Sequence, residues 1–157
     1  PPRSTLFPYT TLFRSETQTT RAMNALPLRL LYDIVESPLH PDLSILCGEL
    51  QLERQVFSMQ RKAIAGVKRR PPDIVVADFF FGFGNNYAGA NVSNLDVLLR
   101  SLQRFAPQAR VIILADRDQI HHVPHLAALF ALHAVVQLPA GHDQLRAALA
   151  FSGPQDD

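Results

Sequence analysis

The run RRPPDIVVADFFFG, Arg69 to Gly82, decides the fold. Pro71 and Pro72 stop any helix that precedes them, because proline lacks the amide donor and its ring clashes with the preceding turn. Ile74 to Ala77 then form a nearly continuous apolar run rich in β-branched residues. A strand with one wet face alternates apolar and polar residues. One that is apolar throughout is covered on both faces, as in a parallel sheet flanked by helices. The run ends on an acid, Asp78, followed by Phe79, Phe80, Phe81 and Gly82.

Working outward, two more runs have the same character, Val111 to Leu114 and Ala134 to Leu138. Leu28 to Val35 reads as the first strand and Val56 to Met59 as the second. Helical spacing fills the gaps. Leu43, Leu46, Cys47 and Leu50 follow a start at Pro41 and Asp42. Ala63, Ile64 and Val67 mark a second helix, ended by the proline pair. Leu95, Leu98, Leu99, Leu102 and Phe105 form an amphipathic stripe, with Ser93 and Asp96 as a capping-box start. Pro124 opens a helix carrying Leu126, Leu129 and Phe130, and His142 to Phe151 supplies the last. Five strand–helix units imply an α/β fold with a doubly wound parallel sheet. Its expected order is the flavodoxin-like 2-1-3-4-5, whose functional crevice lies at the carboxyl ends of strands one and three.

From about Leu28 to Ala150 the chain resembles the receiver domain of bacterial response regulators, the phosphorelay module of two-component signalling. RRPPDIVVADFFFG is similar to a receiver's third strand, RVIILADRD (Arg110 to Asp118) to its fourth, and AVVQLP (Ala134 to Pro139) to its fifth with the proline that follows. The resemblance implies that Asp78 is the phosphoacceptor. If that site is active, Glu36 and Asp78 would hold magnesium through hard oxygen ligands. Three further positions depart from the pattern. In IVESP the expected acidic pair is Glu36 and Ser37, the strand-four hydroxyl position is Ala115, and the strand-five lysine position is Leu138. Losing the lysine alone removes a charge-assisted contact worth roughly 1.5–3 kcal/mol. Asp116 would repel a phosphoryl group rather than bind it. Asp33, inside the first strand, is expected to lie too deep and to face away from the site.

The segment FFFGFGNNYAGANVSN, Phe79 to Asn94, exceeds the roughly 2–6 residues usual for such a connection. Phe79 to Phe81 are suited either to lid the core or to meet a partner. Phe83, Asn85, Asn86, Tyr87 and Asn91 are candidates for a partner surface, since aromatic anchors among adaptable Gly and Asn residues suit recognition. GFGNNYAG also suggests a phosphate cradle, but it lacks G-x-G-x-x-G spacing and follows strand three rather than strand one.

Residues elsewhere have plainer readings. His121, His122 and His125 lie near one another without a carboxylate or cysteine to complete a metal site, and are expected to be exposed and unliganded. Lys62, Lys68, Arg69 and Arg70 suit a helix C-terminus. The single cysteine, Cys47, excludes an internal disulfide and reads as core. No Ser-His-Asp arrangement is expected, on the view that the histidines avoid the ends of strands one and three.

Pro1 to Ser15, PPRSTLFPYTTLFRS, resemble at every residue the conceptual translation of a universal Illumina sequencing adapter, and such segments are set aside before fold reasoning. Without Arg3 and Arg14 the 15 basic residues become 13 against 14 acidic ones, and the formal charge moves from +1 to −1. No nucleic-acid partner is then indicated. Residues 16 to 27 read as a leader with Met23 as the expected start, 28 to 151 as the receiver-like domain and 152 to 157 as a tail. The chain shows no apolar run near the roughly 18 residues of a membrane span. A cytoplasmic location is expected. The expected function is a non-catalytic, receiver-like interaction module with a protein partner and no cofactor. A phospho-accepting receiver using Asp78 with magnesium is the first alternative, and a small-ligand-binding flavodoxin-like protein the second. ESPLHPD, Glu36 to Asp42, lacks the Ser/Thr/Gly-rich loop of a flavin binder.

Overall fold

The computed structural model describes residues 28–82 and 92–150. In chain order they form β1 (Arg29–Ile34), α1 (Ser44–Glu49), β2 (Leu52–Phe57), α2 (Gln60–Arg69), β3 (Ile74–Asp78), α3 (Asp96–Phe105), β4 (Arg110–Ala115), α4 (Val123–Ala127), β5 (Ala134–Gln137) and α5 (His142–Leu149). All strands pair in parallel in the order β2-β1-β3-β4-β5. That is the flavodoxin-like winding expected from the strand–helix alternation.

Two apolar layers hold the sheet between helices. Leu30, Tyr32 and Ile34 of β1 point with Val75 and Ala77 of β3 toward α2 and α3. Leu31 of β1 and Ile74 and Val76 of β3 point the other way, into Leu46 and Cys47 of α1 and Leu145 and Leu149 of α5. The period of two along each strand assigns the faces, and both are apolar, which is why these strands read as continuous runs. Phe79 is buried as a lid on the α2–α3 layer. Cys47 is buried, and its thiol is pushed up to about 11, first by burial and then by the Asp33 charge.

Two expectations require correction. The second strand is Leu52–Phe57 and not Val56 to Met59. As an edge strand it takes polar residues where it meets water, and Glu53 there pairs with Arg70 at 2.6 Å. The fourth helix ends at Ala127, so Leu129 and Phe130 lie beyond it. The chain turns there, with the Phe130 amide donating to the Leu126 carbonyl. Phe130 is buried while Leu129 is exposed. The Ser93–Asp96 pairing forms as expected: the Ser93 amide and hydroxyl both donate to Asp96 Oδ1, at 2.7 and 2.9 Å.

The α2–sheet contact is tight at Gly66, where an added Cβ would sit 2.9 Å from Tyr32 Oη. That hydroxyl is not free to yield. It donates to the Arg70 carbonyl at 2.6 Å, and its ring packs on Phe57 with centroids 4.7 Å apart. Alanine normally gains up to about 1 kcal/mol over glycine within a helix. Here Gly66→Ala is expected to destabilise by about 1–3 kcal/mol through overpacking, measured by urea unfolding. Adding Tyr32→Phe to that variant should recover part of the loss.

Candidate functional site

The register of the central strands determines what can meet at their carboxyl ends. Leu31 lies beside Ile74 and Asp33 beside Val76, so Asp33 belongs to the same face as Val76 and Asp78. Both acids thus follow apolar residues on the α1–α5 side, and both are buried. The expectation that Asp33 faces away is therefore wrong, although its depth is as expected.

The chain leaving β1 then folds back onto them. Ser37, Pro38, Leu39 and His40 make a turn in which the His40 amide donates to the Ser37 carbonyl at 3.1 Å, and Ser37 Oγ accepts from the Leu39 amide at 3.0 Å. Proline in the second position of the turn presets its φ. The turn carries the His40 ring between the two acids, with its side chain only 1% exposed. Nε2 lies 2.5 Å from Asp33 Oδ1, and Nδ1 lies 2.8 Å from Asp78 Oδ2 and 3.0 Å from Oδ1. Arg54 on β2 donates through Nε to the other Asp33 oxygen at 2.8 Å. The Glu36 and Ser37 amides donate to Asp78 Oδ2 at 2.8 and 3.0 Å. The expectation that histidines avoid this end of the sheet fails at His40.

Two buried carboxylates and a buried imidazole thus meet a guanidinium that reaches in from the partly exposed edge strand. Burial drives the His40 pKa down, but the hydrogen bonds and charges of Asp33 and Asp78 outweigh it and hold the ring at about 9 against an ordinary 6.5. A protonated ring and Arg54 together balance the two carboxylates, which is the condition under which buried charges are tolerated.

The remaining predicted positions surround this cluster. Glu36 Oε1 accepts from Gln60 Nε2 and Asn94 Nδ2, both at 3.0 Å. Asn94 also donates to the Asp78 carbonyl at 2.8 Å and accepts from the Phe80 amide at 2.8 Å, clamping the chain as it leaves β3. Ser37 spends its hydroxyl in the turn. Ala115 ends β4 and Leu138 follows β5. Both are buried, and the Leu138 amide donates to the Ala115 carbonyl at 2.8 Å. Asp116 Oδ1 caps its own turn, accepting from the Asp118 and Gln119 amides. Sequence reasoning missed His40, Arg54, Gln60 and Asn94. The Ser-Pro turn in ESPLHPD was the available signal for His40.

Phe83, Asn85, Asn86, Tyr87 and Asn91 lie outside the described residues, as do 1–27 and 151–157. The base of their segment is described. Phe81 and Ser93 form an antiparallel bridge, and the Gly82 amide donates to the Val92 carbonyl at 2.7 Å. Phe81 is partly exposed and stacks on His122 with centroids 4.0 Å apart. Phe79 thus lids the core while Phe81 joins the surface histidines. His121 and His125 are exposed and His122 half-buried. Among the described residues no group of three or more His, Cys, Asp or Glu side chains is arranged to hold a metal. Nor is any helix among them long and apolar enough to cross a membrane.

No family model matches the chain, and no curated protein matches it in sequence. Solved structures do resemble it in fold. A response regulator receiver domain protein from Clostridium thermocellum superimposes with a TM-score of 0.58 at 16% identity, over 78% of this chain and 90% of that one. The REC domain of AraT, a response regulator from Geobacillus stearothermophilus, gives 0.60 at 12% identity, over 77% and 89%. The receiver domain of NtrX from Brucella abortus gives 0.58 at 17% identity, over 78% and 99%. At these identities the likeness is one of fold, and the described domain has the receiver-like flavodoxin architecture.

The raised His40 pKa makes stability depend on pH. The contribution is fully present below the unfolded value of 6.5 and is lost as pH rises through about 9. The charged groups facing the ring are Asp33, Asp78 and, through Asp33, Arg54. The Cys47 thiol, pushed up to about 11, stays neutral in that window. Unfolding free energy is expected to fall by roughly 3 kcal/mol between these limits, measured by denaturant titration at a series of pH values. A His40→Asn chain should lose that slope.

Proposed function

We propose that this chain is a non-catalytic, receiver-like interaction module of a signalling or regulatory assembly, in which Asp78 serves as a structural carboxylate. The observation that carries this reading is the state of Asp78. Its Oδ2 faces His40 and the amides of Glu36 and Ser37, and its Oδ1 faces the same ring. A magnesium ion requires octahedral oxygen ligation and keeps several waters. A buried carboxylate already engaged by a ring that touches both its oxygens and by two amides on Oδ2 fits that demand poorly. Glu36, the other acid available, is held by two side-chain amides. Ala115 and Leu138 add no hydroxyl or ammonium for a phosphoryl oxygen.

The alternative of a phospho-accepting receiver draws on the place of Asp78 at the end of β3, beside the crevice of a doubly wound sheet. The two readings part on chemistry. With magnesium and a small phosphodonor such as acetyl phosphate, no labelling of Asp78 is expected, and beryllofluoride should leave the amide NMR spectrum unchanged. Saturable shifts at Asp78, Glu36 and Ala115 would establish the phospho-accepting reading instead. Fold alone assigns no ligand, so the small-ligand reading has no residue-level support.

A protein partner is the remaining element of the proposal. The aromatic and Asn-rich segment Phe83 to Asn91 is its assigned surface, on composition and on its following the exposed Phe81 in the chain. Unaltered partner capture after replacing that segment with a short Gly/Ser turn would count against the assignment. A structural role for Asp78 also has a thermodynamic signature. Asp78→Asn removes one carboxylate from a buried charge cluster and is expected to cost about 3–5 kcal/mol, read as a lowered denaturation midpoint. An unchanged midpoint would remove the structural role.

A further inference from the structure

We infer that the His40 side chain is a resident counter-cation for the Asp33–Asp78 pair, filling the space through which a divalent ion would reach Asp78, and that removing the ring opens the pair to a small exogenous cation. The inference rests on the structural reading of Asp78 and names the group that enforces it.

Ring stoichiometry supplies the first argument. A neutral imidazole carries one N–H and one lone pair, whereas the imidazolium carries two N–H donors. His40 directs its nitrogens at carboxylates on two different strands, Asp33 on β1 and Asp78 on β3. In a neutral ring one of these contacts would set a lone pair against an anionic oxygen. With both carboxylates ionised, only the doubly protonated ring satisfies both.

The second argument is closure. Arg54 takes the outer oxygen of Asp33, and two backbone amides take Oδ2 of Asp78. The side chains of His40, Asp33 and Asp78 are each at most 1% exposed. The Ser37–His40 turn sets the ring position from the backbone, so an arriving ion must displace a covalently tethered cation rather than a water. Removing the ring leaves two facing carboxylates, with Arg54 on the far side of one, around an imidazole-sized vacancy. That vacancy carries net negative charge and selects for a cation over a neutral molecule of the same size.

The full chain carrying His40→Ala tests this by thermal denaturation with imidazole or with pyrazole, a ring of the same size that is neutral near pH 7. Imidazole is expected to raise the variant's Tm by several degrees, about 5 °C. Pyrazole should leave the variant's Tm unchanged, and neither should move the unaltered protein. Equal stabilisation by pyrazole, or none by imidazole, overturns the inference. If the variant is unfolded and imidazole does not refold it, the His40 ring nitrogen shifts of the unaltered protein near about pH 7 decide. Two protonated nitrogens support the counter-cation, and one overturns it. A manganese titration of the unaltered protein separates the two levels of the argument. Broadening of the Glu36, Ser37 and Phe79 amides would overturn the structural reading of Asp78 itself. A silent titration with failed imidazole rescue removes only the role given to His40.

Discussion

Two carboxylates buried on one face of a sheet cannot both stay ionised without a cation between them. Water would normally solvate each, and moving an ion out of water costs several kcal/mol even after relaxation. Asp33 and Asp78 share a face because the β1–β3 register and the two-residue strand period leave no other option. Much of the local architecture follows from that. The Ser-Pro turn after β1 returns a histidine rather than leading straight into a helix, and Arg54 reaches in from the edge strand. At the carboxyl ends of β1 and β3 the side chains form a buried charge cluster.

The constraint extends to the backbone on both sides of Asp78. Its carboxylate ties down the loop after β1 through the Glu36 and Ser37 amides, and Asn94 ties its carbonyl to the entrance of α3. Glu36 closes the circuit by taking an amide from Gln60 at the start of α2 and another from Asn94. Buried polar networks are costly when incomplete and rigidifying when complete. Here the groups around Asp78 join the loop after β1 to the end of β3 and to the entrance of α3.

The winding of the sheet was legible because buried parallel strands leave an unmistakable record in runs such as Ile74 to Ala77 and Val111 to Leu114. The edge strand was not, since Leu52–Phe57 is half-wet and its polar residues mask the run. Asp78 could be placed at the mouth of the site from its position at the end of β3. Asp33 was misjudged because its direction depends on inter-strand register, which one strand's sequence does not contain. His40 and Asn94 were passed over for a related reason. Each acts across 38 or 16 residues of chain, through a turn whose direction only the folded backbone defines.

A switch needs two packings close in free energy, and an input must bind one of them better than the other. In a receiver-like fold the input would be charge placed on Asp78, read by groups after β4 and β5. The resemblance puts Ala115 and Leu138 at those positions, both packed in the interior and joined to each other by a backbone hydrogen bond. Neither has a polar group that could move toward a new charge. The cation that would accompany such a charge is already covalently present as His40. On the proposed function, then, neither the input nor the readout survives as a bistable element. Regulation would act through the supply of the domain or of its partner rather than through a change in its shape.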